Sequence, residues 1–195
     1  MVIDEHRFYA TNDLFYPKGL KRFFELYTRQ PWGHVVFYDG KKMRKVAQDI
    51  TYPNGIGVSG ENLYVVSTTN RQLRIYEIKD NNNLKLSDVV DVGILGDNLN
   101  INGNDIFITG VQNGLKFKKA FENLDYISPS IVVKVSRNQN RDLFYGKKYN
   151  VETIFAHDKV ASLATTFVHY KNVGYITGVL TNGIYVCPNI LKLTQ

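Results

Sequence analysis

Short apolar segments recur along the chain at intervals of about 43 residues. The segments that begin at Leu63 and Ile106 are 43 residues apart, and each is followed by a polar turn and a second apolar segment. Four-stranded β-propeller blades repeat at about 40–50 residues, so this spacing predicts successive blades. A chain of 195 residues has room for roughly four to five such units. It is therefore either a small propeller or part of a larger one.

Turn-forming dipeptides separate several of the apolar segments. Asp39-Gly40 follows residues 35–38, and Asn182-Gly183 follows residues 173–176. Asn113-Gly114 likewise separates residues 106–109 from 115–117. Asn-Gly and Asp-Gly between alternating apolar segments are the strongest short signal of a β-hairpin. The sequence therefore predicts an antiparallel all-β protein, with residues 1–195 forming one domain.

Residues 17–30 interrupt this pattern. Leu20, Phe23, Phe24 and Tyr27 lie at helical spacing, with basic residues between them. This arrangement predicts one short amphipathic helix after Pro17. Its aromatic side chains either pack against the β-structure or lie on a lipid surface with the basic residues toward the head groups.

The charge pattern does not favour nucleic-acid binding. The net charge is +6, but Lys and Arg are scattered except in residues 41–45, which we interpret as the solvated end of a hairpin. Binding to nucleic acid needs basic residues gathered on one face. The first five residues also lack the basic and apolar segments of a secretory signal.

Oxygen-bearing side chains provide the main chemical signal. No G-x-S-x-G, H-E-x-x-H or P-loop motif occurs, and the four histidines are isolated in sequence. Asn12, Asn54 and Asn98 are separated by 42 and 44 residues, and Asp97 adds a carboxylate. Residues at one blade position meet around a propeller channel, and calcium prefers carboxylate and amide oxygens. Taken singly, each of these residues is more typical of a turn, and it is their shared spacing that favours a calcium site.

Several segments in order resemble the paraoxonase/arylesterase family. They are FYATND at 8–13, PWGHVVFYD at 31–39, YPNGIGVSGENLYVV at 52–66, GDNL at 96–99 and NGLK at 113–116. The resemblance implies a six-bladed β-propeller, of which this chain supplies about four blades, with two calcium ions in its central tunnel. It also implies calcium-dependent hydrolysis of aryl esters and lactones.

The resemblance also assigns residues. Ligands of the catalytic calcium are expected at Asn12, Asn54, Asp97 and Asn98. Asp13 is expected to bind the structural calcium, whereas Tyr52 and Thr165 are expected to line the substrate pocket. The predicted helix falls where the family has a helix at the active-site mouth that is associated with lipid surfaces. Family members are secreted or membrane-associated, so the same location is expected here.

The chain departs from the family pattern in three ways. It begins at the FYATND segment, so the family's earlier glutamate and aspartate ligands and its histidine pair do not occur. The loop at residues 110–114 lacks the family's histidine, and Cys187 has no second cysteine to pair with. No catalytic base is identified. Two functions therefore remain open: a calcium-dependent esterase, and a non-catalytic propeller that binds or helps to assemble a partner.

Overall fold

The computed structural model of the chain describes residues 1–139, 146–158 and 160–192. These residues form fourteen β-strands in four antiparallel sheets, together with two α-helices and two short 3-10 turns, at Asp80–Asn82 and Ile190–Lys192. The all-β prediction is thus confirmed. The chain divides into two compact units, Met1–Asp91 and Val92–Gln195.

The first unit contains two sheets in which consecutive strands are neighbours. The strands of the three-stranded sheet are β1 (Phe8–Asn12), β2 (Gly33–Tyr38) and β3 (Met43–Ile50). The strands of the four-stranded sheet are β4 (Pro53–Ser59), β5 (Asn62–Ser67), β6 (Gln72–Ile78) and β7 (Leu84–Asp91). Helix α1 (Leu20–Tyr27) connects β1 to β2. Tyr9, Val35, Phe37 and Leu63 are buried together between the two sheets.

The second unit repeats this arrangement. The strands of its four-stranded sheet are β8 (Leu95–Asn102), β9 (Asp105–Val111), β10 (Ser130–Arg137) and β11 (Tyr149–His157). The strands of its three-stranded sheet are β12 (Ala164–Tyr170), β13 (Val173–Gly178) and β14 (Tyr185–Pro188). Helix α2 (Gly114–Glu122) connects β9 to β10. Phe107, Val132, Phe167 and Ile176 form the core of this unit.

Strand β1 occupies the position of a second strand rather than a first strand. In the second unit, β12 packs against β8, β9 and β10, which are the first, second and third strands of their sheet. In the first unit, β4 packs against β1 and β2, and β3 lies against the fourth strand β7. The sheet of β1 therefore matches the last three strands of a four-stranded repeat. Residues Met1 and Val2 lie along β1, where Tyr9 donates its backbone N–H to the Met1 carbonyl at 2.9 Å.

Two of the three predicted turns differ from the simplest hairpin. Asp39-Gly40 connects β2 to β3 as predicted, and Asn182-Gly183 lies in a longer loop between β13 and β14. The hairpin predicted at Asn113-Gly114 is wrong. The Asn113 side chain accepts hydrogen bonds from the backbone of Leu115 (2.9 Å) and Lys116 (3.4 Å), and so it caps the start of α2.

Helix α1 presents its apolar stripe to solvent. Leu20, Phe23, Phe24 and Tyr27 are 87%, 56%, 56% and 70% exposed, so of the two alternatives, packing against the β-structure does not hold for the described residues. Glu25 is instead the buried residue of the helix, and its carboxylate accepts backbone N–H groups of Phe15 and Tyr16 at 2.8 and 3.0 Å. These hydrogen bonds attach the polar face of α1 to the loop that follows β1. Within the described part of the chain, no helix is long and apolar enough to cross a membrane.

Candidate metal-binding strand entries

Three of the first strands begin with the same irregularity, a β-bulge. The pairing of β4 with β5 shifts between Pro53 and Ile56, which places one extra residue in the Asn54-Gly55 step. The pairing of β8 with β9 shifts between Gly96 and Leu99, and that of β12 with β13 shifts between Ala164 and Thr166. The extra residues therefore fall at Asp97-Asn98 and Thr165. A bulge changes the direction of its side chains relative to regular strand pairing, and bulges are common beside functional sites.

The strand opposite each bulge carries a small residue. A Cβ atom at Gly110 would lie 2.2 Å from the Leu95 carbonyl oxygen, and one at Gly178 would lie 2.1 Å from that of Leu163. In the first unit, Ser67 lies opposite Pro53 and donates its hydroxyl to the Thr51 carbonyl at 2.7 Å. The two backbones thus approach closely at the bulges of β8 and β12, and a side-chain hydrogen bond connects the strands at the bulge of β4. This closeness fixes the position of the bulged side chains.

Asn54 and Tyr52 lie together at the first bulge. Tyr52 has a left-handed backbone (φ 47°) just before β4, a conformation that costs a non-glycine residue free energy and often marks a functional segment. The Asn54 carbonyl accepts a hydrogen bond from the Thr11 hydroxyl at 2.9 Å, which ties β4 to β1. The Asn54 side chain itself forms no hydrogen bond with the described residues. Its amide oxygen is available to a ligand.

Asn12 does not share this position. Cross-strand pairs are Thr11 with Val35 and Asn12 with His34. Because successive side chains of a strand point to opposite faces, Thr11 lies on the side of buried Val35 and Asn12 on the other. The Asn12 amide instead donates to the Leu14 carbonyl at 2.9 Å. Asn12 thus ends a second strand, whereas Asn54 and Asn98 lie in first strands. As a metal ligand, Asn12 stays a prediction.

Asp13 forms an ion pair close to its own strand. Its carboxylate accepts a hydrogen bond from Arg22 Nη2 of α1 at 2.8 Å. Arg22 also donates to the Tyr16 carbonyl at 3.3 Å, so it connects the helix to the loop that follows β1. The negative charge of Asp13 is thus balanced within the protein. As a metal ligand, Asp13 stays a prediction.

Asp97 and Asn98 lie next to the predicted pocket residue Thr165. Asp97 is half-buried and Asn98 is exposed. The Asn98 amide donates to the hydroxyl of Thr166, which neighbours Thr165, at 3.3 Å. With its NH₂ group engaged, Asn98 keeps its carbonyl oxygen as an acceptor or ligand. The structure therefore brings Asp97, Asn98 and Thr165 to one end of the second unit.

The side chains at the bulges of β4 and β8 carry the type of ligand atom, oxygen, that a hard cation prefers. Calcium takes oxygen ligands from carboxylates, amide carbonyls and water. Asn54, Asp97 and Asn98 all offer such oxygens, and Asp97 contributes a negative charge. Among the described residues, no three His, Cys, Asp or Glu side chains are grouped so as to hold a metal ion. Amide oxygens would therefore make up much of any calcium site.

A groove in the first unit was not foreseen from the sequence. It encloses about 300 Å³ and is lined by aromatic and charged side chains that include Tyr16, Trp32, His34, Lys45 and Asp49. Burial lowers the pKa of His34 below its usual value, and nearby Lys45 lowers it further. His34 is isolated in sequence, so only the fold shows that it shares a groove with a lysine and an aspartate.

Cys187 is a free thiol, as expected for a chain with one cysteine. It pairs with Gly174 across β13 and β14 and packs at the margin of the second core. Burial raises the pKa of this thiol above its usual value. Cys187 is therefore less reactive than an exposed thiol.

Comparison with known proteins gives consistent matches. The family model described as Arylesterase matches residues 1–187. The chain is 33% identical over 103 residues to human serum paraoxonase/lactonase 3, covering 52% of this chain and 29% of that protein. It is 30% identical over 120 residues to rat serum paraoxonase/arylesterase 2, covering 60% and 34%. The chain thus spans about a third of the length of these relatives.

Among solved structures, the chain is similar to the calcium-binding protein regucalcin from Agrobacterium tumefaciens. The TM-score is 0.47 and the sequence identity is 16%. The similarity covers 78% of this chain and 46% of the other.

Proposed function

This chain belongs to the arylesterase family, and from that premise we propose that it acts in the calcium-dependent hydrolysis of aryl esters and lactones. The observation that carries this proposal is the β-bulge near the start of β4 and of β8. Asn54 lies at the first of these bulges, and Asp97 and Asn98 lie at the second. The curated relatives are named paraoxonases, arylesterases and lactonases. A carboxylic ester hydrolase is therefore the activity that we infer.

We propose calcium ligands in each unit separately: the amide oxygen of Asn54 in the first unit, and the carboxylate of Asp97 with the amide oxygen of Asn98 in the second unit. A bound calcium ion supplies Lewis-acid polarisation of the substrate carbonyl and stabilises the charge that develops on its oxygen. Tyr52 and Thr165 adjoin these ligands in their respective units, and they would contact the acyl or aryl part of the substrate. Asn12 and Asp13 are given a smaller part in this proposal, because Asn12 lies outside the bulges and the Asp13 carboxylate pairs with Arg22.

The fold fits this proposal as a series of blades. Each four-stranded sheet runs from first to fourth strand without crossing over, and a short segment leads to the next first strand. This connectivity is typical of β-propeller blades. We infer that the four sheets are four blades of the six-bladed type that is found in the family.

The exposed stripe of α1 supports a lipid surface as partner. Leu20, Phe23 and Tyr27 are all more than half exposed, and Lys18 and Lys21 flank them. An amphipathic helix of this composition binds membrane interfaces by burying its apolar side chains among head groups. This partner agrees with a secreted or membrane-associated location. Co-sedimentation with phospholipid vesicles should fall at least fivefold in the double variant Phe23→Ser/Tyr27→Ser, and unchanged sedimentation would contradict this role.

The decisive experiment for catalysis compares hydrolysis with and without calcium. Phenyl acetate and an aliphatic lactone should be hydrolysed with calcium present, and the rate should fall to background in a chelator and return when calcium is restored. Turnover that is insensitive to the chelator would contradict the proposal. Calcium binding without turnover would instead favour a non-catalytic role in binding or assembling a partner.

A further inference from the structure

The groove in the first unit has no part in the proposed hydrolysis. Its lining includes three aromatic side chains, those of Phe15, Tyr16 and Trp32. The rings of Tyr16 and Trp32 meet edge to face, with centroids 5.9 Å apart. The Trp32 side chain is 40% exposed, so part of its surface stays open to a ligand. Such a lining offers apolar contact and the negative face of an aromatic ring.

The lining also includes two exposed side chains of opposite charge that do not pair. Lys45 and Asp49 both come from β3, and both line the groove. Among the described residues, neither side chain forms a hydrogen bond or an ion pair. Two unpaired opposite charges in a small groove leave both available to one ligand. A ligand with only one charge would be attracted by one of these side chains and repelled by the other.

His34 adds a neutral group rather than a third charge. Burial lowers the pKa of His34, and its Nδ1 lies 3.5 Å from the Trp32 carbonyl oxygen. A histidine with a lowered pKa is uncharged at neutral pH. Of the groove-lining side chains, Lys45 is therefore the one that carries a positive charge.

We infer that this groove binds a zwitterionic group of the phosphocholine type. The phosphate pairs with Lys45, and the quaternary ammonium lies against the Trp32 ring beside Asp49. Aromatic rings attract quaternary ammonium ions, and a neighbouring carboxylate adds to this attraction. A volume of about 300 Å³ is at the small end of ligand pockets and suits a head group better than a whole lipid. The inference does not depend on the proposed hydrolysis.

Trp32 provides a direct reporter because it is the one tryptophan in the chain. Titration with soluble phosphocholine should change its fluorescence in a saturable manner. Choline and inorganic phosphate, which each carry one of the two charges, should bind at least tenfold more weakly. Equal affinity for all three probes, or no change with any of them, would overturn the inference.

Two variants separate the roles of the two charges. Asp49→Asn should abolish the response to choline and keep that to phosphate, whereas Lys45→Gln should do the reverse. Asn also tolerates the left-handed backbone of Asp49 (φ 59°), so this substitution keeps the local fold. Glu61→Gln and Lys85→Gln, exposed residues outside the groove, serve as matched controls and should bind phosphocholine as the wild type does. If both groove variants bind phosphocholine normally, the site is wrongly assigned.

The source of the zwitterion is tested with vesicles. If phosphatidylcholine vesicles change the Trp32 fluorescence of the wild type but not of Asp49→Asn, the groove takes a head group from a bilayer. If soluble phosphocholine alone does so, the groove takes a soluble zwitterion. Both results support the site, and a vesicle response that is equal in the wild type and both variants contradicts it.

Discussion

Two asparagine-containing segments of the first unit look alike in sequence but differ in structure. At the β4 bulge, the Asn54 side chain forms no hydrogen bond with the described residues, and its backbone is held by Thr11. At the end of β1, Asn12 bonds to Leu14 and Asp13 pairs with Arg22. The position of a residue in the sheet, rather than its spacing in the chain, thus decides whether its side chain lies at a bulge.

The largest expected effect falls on catalysis at the bulges. Asp97→Asn removes the one carboxylate of the proposed ligand set, and we expect phenyl acetate hydrolysis to fall by about 10²–10³-fold, as when an electrostatic stabiliser is removed. Asn54→Ala should lose about tenfold or more by the same reasoning. Asn12→Ala should stay within about threefold of the wild type. If Asn12→Ala and Asn54→Ala lose the same fraction of hydrolytic activity, the proposed difference between the β1 and β4 segments is contradicted.

The second largest effect concerns the close approach of strands at a bulge. Gly110→Ala would place a Cβ atom 2.2 Å from a backbone carbonyl oxygen, so the strands must separate. We expect a loss of about 3 kcal/mol in the free energy of unfolding, measured by urea denaturation. Gly183→Ala is the matched control, because no atom lies within 4 Å of its added Cβ. Similar midpoints for the two variants would show that the strands are not held closely at the bulge.

A smaller effect is expected at the end of β1. The Asp13–Arg22 pair is partly exposed, at 43% and 33% of its side chains. Partly exposed ion pairs contribute about 0.2–1 kcal/mol, so Asp13→Asn should lower the free energy of unfolding by less than about 1 kcal/mol. A double-mutant cycle with Arg22→Gln measures the coupling. If Asp13→Asn instead alters calcium affinity tenfold or more, Asp13 is a ligand and the distinction fails.

The smallest effect is a pH dependence at His34, which pairs with Asn12 across β1 and β2. Its pKa is lowered in the folded state. The stability that it contributes is therefore present above the unfolded value of about 6.5 and is lost as the pH falls below it. His34→Gln should flatten the decline in unfolding free energy between about pH 6.5 and pH 5. An unchanged pH profile would contradict this assignment.

Several elements of the fold follow from local sequence patterns. The Asp39-Gly40 hairpin and helix α1 have strong local signals, and both form where the sequence predicts them. Helix α2 was missed because Asn-Gly suits both a hairpin turn and a helix N-cap. Only the surrounding structure shows that the Asn113 side chain caps Leu115 and Lys116.

The candidate site could be predicted only in part. The sequence indicates which side chains carry oxygen, but pairing with a neighbouring strand decides which of them lie at a bulge. Asn12 is 42 residues from Asn54, yet β1 is a second strand and β4 is a first strand. Regular spacing alone cannot reveal this difference, because the segment with α1 lengthens the connection between β1 and β2 and so offsets the shift of one strand. The groove at Trp32 was missed for a related reason, since its walls come from separate segments.

Calcium titration calorimetry of three proteins, the wild type, Asp97→Asn and Asn12→Ala, tests the central claim most directly. We predict saturable calcium binding by the wild type, a loss of affinity of about 100-fold or more in Asp97→Asn, and an affinity within about twofold of the wild type in Asn12→Ala. Calcium binding that survives Asp97→Asn but is lost in Asn12→Ala would contradict the account.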